Sequence, residues 1–144
     1  MFNPSQHDVR NFFFDTYRKH KEQQLLNDLE KIALSIIFEH PEYENYLTNR
    51  ERYLEYVWAV DNGETNPFLH LSMHMTIIEQ LSIDQPHGIK ASYKRLCTQY
   101  TNEHKAQHEL MDCIAEMVWQ AQRIRSIPDP EIYFACINRK LNSI

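Results

Sequence analysis

Glycine is nearly missing from this sequence: Gly63 and Gly88 are the two in 144 residues. Rossmann and P-loop sites need a glycine-rich turn, because backbone must come close to phosphate. Nucleotide folds of those types are excluded. Cysteine is also sparse. Cys97, Cys113 and Cys136 are odd in number, far apart and in no CxxC spacing. No disulfide framework is expected, and the chain reads as intracellular, with a cytoplasmic location. Cys97 and Cys113 fall on or near apolar stripes and read as small buried hydrophobes. Positive charge is in deficit, with 15 basic against 20 acidic residues and a net charge of −5. A nucleic-acid binder carries a basic footprint. The one basic run, Arg18-Lys19-His20-Lys21, complements the dipole at a helix C-terminus instead. No stretch approaches the roughly 18 apolar residues of a membrane span, and Met1-Phe2-Asn3-Pro4 has no signal-peptide pattern.

What remains suits a helical globule. Hydrophobic residues make up 42% and aromatics 12%, and the length fits one domain over residues 1–144. Asn3-Pro4-Ser5-Gln6 offers a cap and a proline at the first helical position, with Val9, Phe12, Phe13 and Tyr17 recurring behind it, so a helix is predicted over about 4–22. Phe12-Phe13-Phe14 cannot all face inward on one helix. Part of that cluster is expected to cover a loop or another subunit, which leaves a homo-oligomer open. Asn27-x-x-Glu30 is a capping box, and Leu29, Ile32, Ala33, Ile36, Ile37 and His40 mark the face behind it. Pro41 should end that helix near His40.

Residues 41–65 read as a long connection with short helical pieces, closed by the turn signal Asp61-Asn62-Gly63. Further helices are predicted over about 66–82, 87–100, 102–124 and 130–142, punctuated by Asn66-Pro67, Asp84 to Gly88, Asn102 and Pro128-Asp129-Pro130. Ile89, Tyr93, Leu96, Cys97 and Tyr100 should face inward, as should Leu110, Met111, Ile114, Ala115, Val118 and Ala121. Trp58 and Trp119 read as packing residues. The fold class is all-α, a single-domain bundle of five to six helices, mostly antiparallel.

Histidine carries the functional signal. His70 and His74 form one HxxxH pair, and His104 and His108 a second. Residues four apart lie about 40° apart around a helix, so each pair presents two imidazoles on one face. The first pair continues into Ile77 and Leu81, the second into Met111, Ala115 and Val118, so both extend core-facing stripes. With consecutive helices antiparallel, both pairs and His40 come to the same end of the bundle. Neutral imidazoles on facing helices suit a transition-metal ion such as Zn or Fe, and His40, His70, His74, His104 and His108 are the expected ligands of one or two ions. Glu39, Glu42 and Glu103 are candidate oxygen ligands. Asp112 and Glu116 are marginal, and Glu79 sits about 140° from His74 around its helix. A metal at this place would serve hydrolysis or oxidation. The ferritin-like Glu-x-x-His pattern is missing.

Two other readings fit the same residues. The imidazoles can hydrogen-bond to one another, to carboxylates and to Tyr43 or Tyr100, as a structural network in a non-catalytic adaptor with a protein partner. Alternatively, the N-termini of two helices can hold an anion there. His7, His20 and His87 look solvent-facing. No other cofactor, nucleic acid or membrane is expected as a partner.

Several stretches are similar to a bacterial family known as domain of unknown function 1841. They are Met1-Phe2-Asn3-Pro4-Ser5, Phe12-Phe13-Phe14-Asp15, His40-Pro41-Glu42-Tyr43, and Gly63-Glu64 through Asn66-Pro67-Phe68-Leu69-His70-Leu71-Ser72-Met73-His74. Glu79-Gln80-Leu81-Ser82-Ile83-Asp84-Gln85-Pro86, Glu103-His104, His108 and Trp119-Gln120-Ala121-Gln122 continue the match. The resemblance implies a bacterial origin and one family domain over nearly the whole chain, and it carries no activity. All five candidate histidines fall inside these segments, whereas His7 and His20 do not. Glu79, set aside on geometry, falls inside one too.

Overall fold

The computed structural model describes residues 5–59 and 66–142. Backbone contacts divide the chain into two compact units, Met1–Met75 and Thr76–Ile144. Every regular element among the described residues is helical, and none of the helices is long and apolar enough to cross a membrane. The Asp61-Asn62-Gly63 turn, Asn3 and Pro4 lie outside the described residues.

The first unit opens with α1, Gln6–Lys21. Its cap is Ser5, not Asn3: the Ser5 hydroxyl takes the Asp8 amide and the Asp8 carboxylate takes the Ser5 amide. Each end of such a box satisfies a backbone donor that the helix leaves over. Helix α2, Asp28–Phe38, starts with the expected box between Asn27 and Glu30. It stops two residues short of Pro41, which opens a single 3₁₀ turn over Pro41–Tyr43. Two one-turn helices follow, α3 (Glu44–Leu47) and α4 (Arg50–Tyr53). They bring the α-helix count among described residues to eight, not five or six. Both extra helices lie in the segment read as a connection with short helical pieces, too short for hydrophobic periodicity to register.

Phe13 and Phe14 are both buried and Phe12 is half-buried, so α1 presents a wider apolar face than one stripe. Phe14 packs at 5.1 Å from the ring of Phe68. Leu29, expected on the buried face of α2, is exposed, and Ala33, Ile36 and Ile37 bury that helix. Arg10, in phase with Phe13 and Tyr17, is buried at 4% exposure. Its Nη1 donates to the carbonyls of Tyr53, Leu54 and Tyr56 at 2.8–3.0 Å, and the guanidinium lies 4.9 Å over the Trp58 ring.

Helix α5, Pro67–Ile83, begins in the first unit and ends in the second. Asn66 Oδ1 accepts the amides of Phe68 and Leu69, with Pro67 at the first position, where it has no donor to lose. The second unit continues with α6 (Ile89–Tyr100), α7 (Glu103–Arg123) and α8 (Pro130–Leu141). Gly88 caps α6 at φ +95, a left-handed conformation that a side chain would strain. Helix α7 packs against both α6 and α8; it buries Ala106, Leu110, Cys113, Ile114 and Ala121, while Leu96 of α6 and Tyr133 and Ile137 of α8 are also buried. The inward face of α7 differs from expectation: Ala115 and Val118 are exposed, as is Trp119. Leu110, Met111, Ile114 and Ala121 are buried as expected, and Ala106 and Cys113 complete the stripe. Ile89 and Leu96 bury α6, while Tyr93, Cys97 and Tyr100 stay half-buried.

One expectation is overturned here. Cys113 of α7 and Cys136 of α8 form a disulfide. The two are 23 residues apart on different helices, and no spacing rule marks such a pair. Only the packing of α7 on α8 brings them together. Disulfides are rare in reducing compartments, so this bond also removes the cysteine argument for an intracellular chain.

Candidate metal centre

In the first unit, the end of α2, the 3₁₀ turn and the opening of α5 bring three imidazoles together. His40, 3% exposed, caps the 3₁₀ turn directly behind α2. His74 is fully buried and His70 half-buried, one turn apart on α5. The His40 ring centroid lies 4.8 Å from that of His70 and 4.8 Å from that of His74, and His70 and His74 are 4.9 Å apart. The HxxxH spacing thus does what the helix period requires.

The tautomer of His40 follows from its surroundings. Its Nδ1 is 3.0 Å from the carbonyl oxygen of Ile36. A carbonyl only accepts, so Nδ1 carries the proton and Nε2 of neutral His40 presents a lone pair. An N–H donated to a backbone carbonyl is also what usually orients a metal-bound imidazole. His40 Nε2 faces His70 Nε2 at 3.1 Å. That separation suits a hydrogen bond. It is also near the roughly 3.3 Å between two nitrogens that share a tetrahedral ion at about 2.0–2.1 Å. Tyr43 stacks on His40 with centroids 5.2 Å apart and planes 9° from parallel. Burial, and to a lesser degree Glu42 and Tyr46, raises the Tyr43 phenol above its usual value. It therefore stays neutral and apolar-faced beside the ring.

In the second unit, His104 and His108 stand on the first two turns of α7 with ring centroids 4.1 Å apart. Both are half-buried. Each pair, His40 with His74 and His104 with His108, offers ring nitrogens within 4.8 Å of each other. Tyr93 lies beside the same stretch of α7. Its hydroxyl donates to the Glu103 carbonyl and accepts from Gln107, each at 3.4 Å, and burial pushes it up to about 12.

Four of the carboxylates named from sequence are exposed, and two are engaged in ion pairs. Glu39, Glu42, Glu79 and Glu103 are exposed. Glu116 takes both its oxygens to Arg139, and Asp112 takes Lys140 at 3.4 Å. Cap side chains engage some of the helix-end amides that an anion would use: Asn66 takes two at α5, and Asn102 takes the Lys105 amide at α7. The structural residues that sequence reasoning passed over are Arg10 and the Ile36 carbonyl. A cation in phase with Phe13 and Tyr17 was a readable signal for the first. A backbone acceptor leaves none.

A family model for "Domain of unknown function (DUF1841)" matches residues 5–139. The chain belongs to that family. The match runs through both units and takes in all five histidines. No curated protein and no solved structure matches the chain.

Proposed function

We propose that this protein binds one or two transition-metal ions, Zn or Fe, through His40, His70 and His74 of the first unit and His104 and His108 of the second. The observation that carries the reading is the first-unit trio. Three imidazoles gather within 5 Å between centroids, and His40 is held in the tautomer that leaves Nε2 as a lone pair. Each of His40, His74, His104 and His108 offers one ring nitrogen to an ion. Imidazole nitrogen suits Zn, Fe, Cu and Ni, and not Mg or Ca.

A second reading rests on the 3.1 Å contact between His40 and His70. In it the imidazoles form a hydrogen-bonded network whose role is structural, in an adaptor with a protein partner. Melting curves separate the two. An ion bound only by the native state raises the melting temperature on addition and a chelator lowers it again, by about 2.7 kcal/mol of stabilisation at a hundredfold excess over Kd. A structural network responds to neither. Absence of any shift with Zn, Fe, Mn, Cu or Ni would reject the metal reading.

A further inference from the structure

The Cys113–Cys136 disulfide has two unequal ends. Cys113 is completely buried, while Cys136 keeps 5% exposure and lines a surface cavity of about 330 Å³ with Asp112, Glu116, Arg139 and Lys140. The cavity wall is doubly charged. Arg139 and Asp112 are largely exposed, at 62% and 71% of their side chains, and the ion pairs they make with Glu116 and Lys140 are the weak surface kind. A ligand bearing both an ammonium and a carboxylate meets an opposite charge for each.

We propose that this cavity admits a small zwitterionic thiol and that Cys136 is the sulfur it attacks. Exchange needs a thiolate to reach one sulfur of the disulfide, and access decides which. Here Cys136 keeps some exposure and lines the cavity, whereas Cys113 does neither. The thiolate bonds to Cys136 Sγ as the Cys113–Cys136 bond breaks. The electron pair leaves on Cys113 Sγ, which takes a proton from solvent. A second thiolate then attacks the ligand sulfur of the mixed disulfide and releases the oxidised small thiol and the Cys136 thiolate. Two thiols are oxidised and one protein disulfide is reduced.

The test uses the full chain carrying Cys97→Ser, which removes the half-buried free thiol, with reduced glutathione as the zwitterionic probe and 2-mercaptoethanol as a neutral one. Peptide mapping after a short native incubation is expected to find the glutathione adduct on Cys136. Adding Asp112→Ala and Arg139→Ala is expected to slow glutathione exchange several-fold and leave 2-mercaptoethanol unchanged. Free thiols at Cys113 and Cys136 before any treatment, an adduct on Cys113, or equal slowing of both probes would overturn the proposal. Oxidised glutathione offered to Cys113→Ser should label Cys136, and offered to Cys136→Ser should leave Cys113 unlabelled, a check that needs no native disulfide.

Discussion

Replacing Arg10 by Met should weaken the first unit by roughly 2–3 kcal/mol. The side chain joins α1 to the chain beyond α4 by charge, where apolar packing would be usual. Its Nη1 has two hydrogens shared among three carbonyls, those of Tyr53, Leu54 and Tyr56. Counted as two bonds from a charged donor at about 1.5 kcal/mol each, they contribute roughly 3 kcal/mol. The stacking of the guanidinium on Trp58 at 4.9 Å adds about 1 kcal/mol. Against this, burial lowers the guanidinium pKa, a sign that desolvation opposes the charge, and methionine escapes that cost. Tyr53 O also keeps the Tyr56 amide at 3.4 Å. Hydrogen bonding wins, and the remainder corresponds to a fall in melting temperature of about 5–10 °C. Urea denaturation followed by tryptophan fluorescence reads it, since Trp58 loses its cation. A loss under about 0.5 kcal/mol would refute the reasoning, and an Arg10→Lys variant more damaging than Arg10→Met would contradict the role given to charge.

Three further predictions follow from single groups. Gly88→Ala should cost about 1–2 kcal/mol in thermal denaturation, because the left-handed φ alone is at issue and a new Cβ would meet Phe134 at an ordinary 3.9 Å. An unchanged melting temperature would show that the cap relaxes. Glu30 has its pKa lowered by the Asn27 amide first and by Lys19 next. Its contribution is therefore present above the unfolded value near ~4.3 and lost as pH falls through the lower folded value. The stability gap between the parent and Glu30→Gln should be full at neutral pH and close below about pH 4; a gap constant across that window would contradict the assignment. Finally, Cys113→Ser/Cys136→Ser should cost about 3 kcal/mol if loop closure governs, measured by urea unfolding of the oxidised parent and the variant.

The helices were legible because their signals are local. Asn27 with Glu30, Asn66 with Pro67, and Asp129 with Pro130 each stand where the helix begins, since a cap answers backbone donors within three residues. The first cap slid to Ser5 because serine and asparagine compete on equal terms there. What resisted reading was nonlocal. Whether Trp119 or Val118 is covered depends on a neighbour that the α7 period does not name. The Cys113–Cys136 bond depends on which helices pack. At the candidate centre, spacing put His70 beside His74 and His104 beside His108, and Pro41 left His40 at the end of α2. The tautomer of His40 rests on the Ile36 carbonyl, which no side-chain pattern encodes. Tyr43 was named as a hydrogen-bond partner, and its ring stacks instead.

Elemental analysis of the untagged chain after exposure to Zn, Fe, Mn, Cu and Ni in turn and removal of loose ions tests the central claim most directly. Alongside it run a His40→Ala/His74→Ala variant and a His104→Ala/His108→Ala variant, each checked for helical content by circular dichroism. The account predicts near-stoichiometric metal in the parent and loss of bound metal in both folded variants. A parent that stays metal-free with every ion, or variants that retain the full amount, would contradict it.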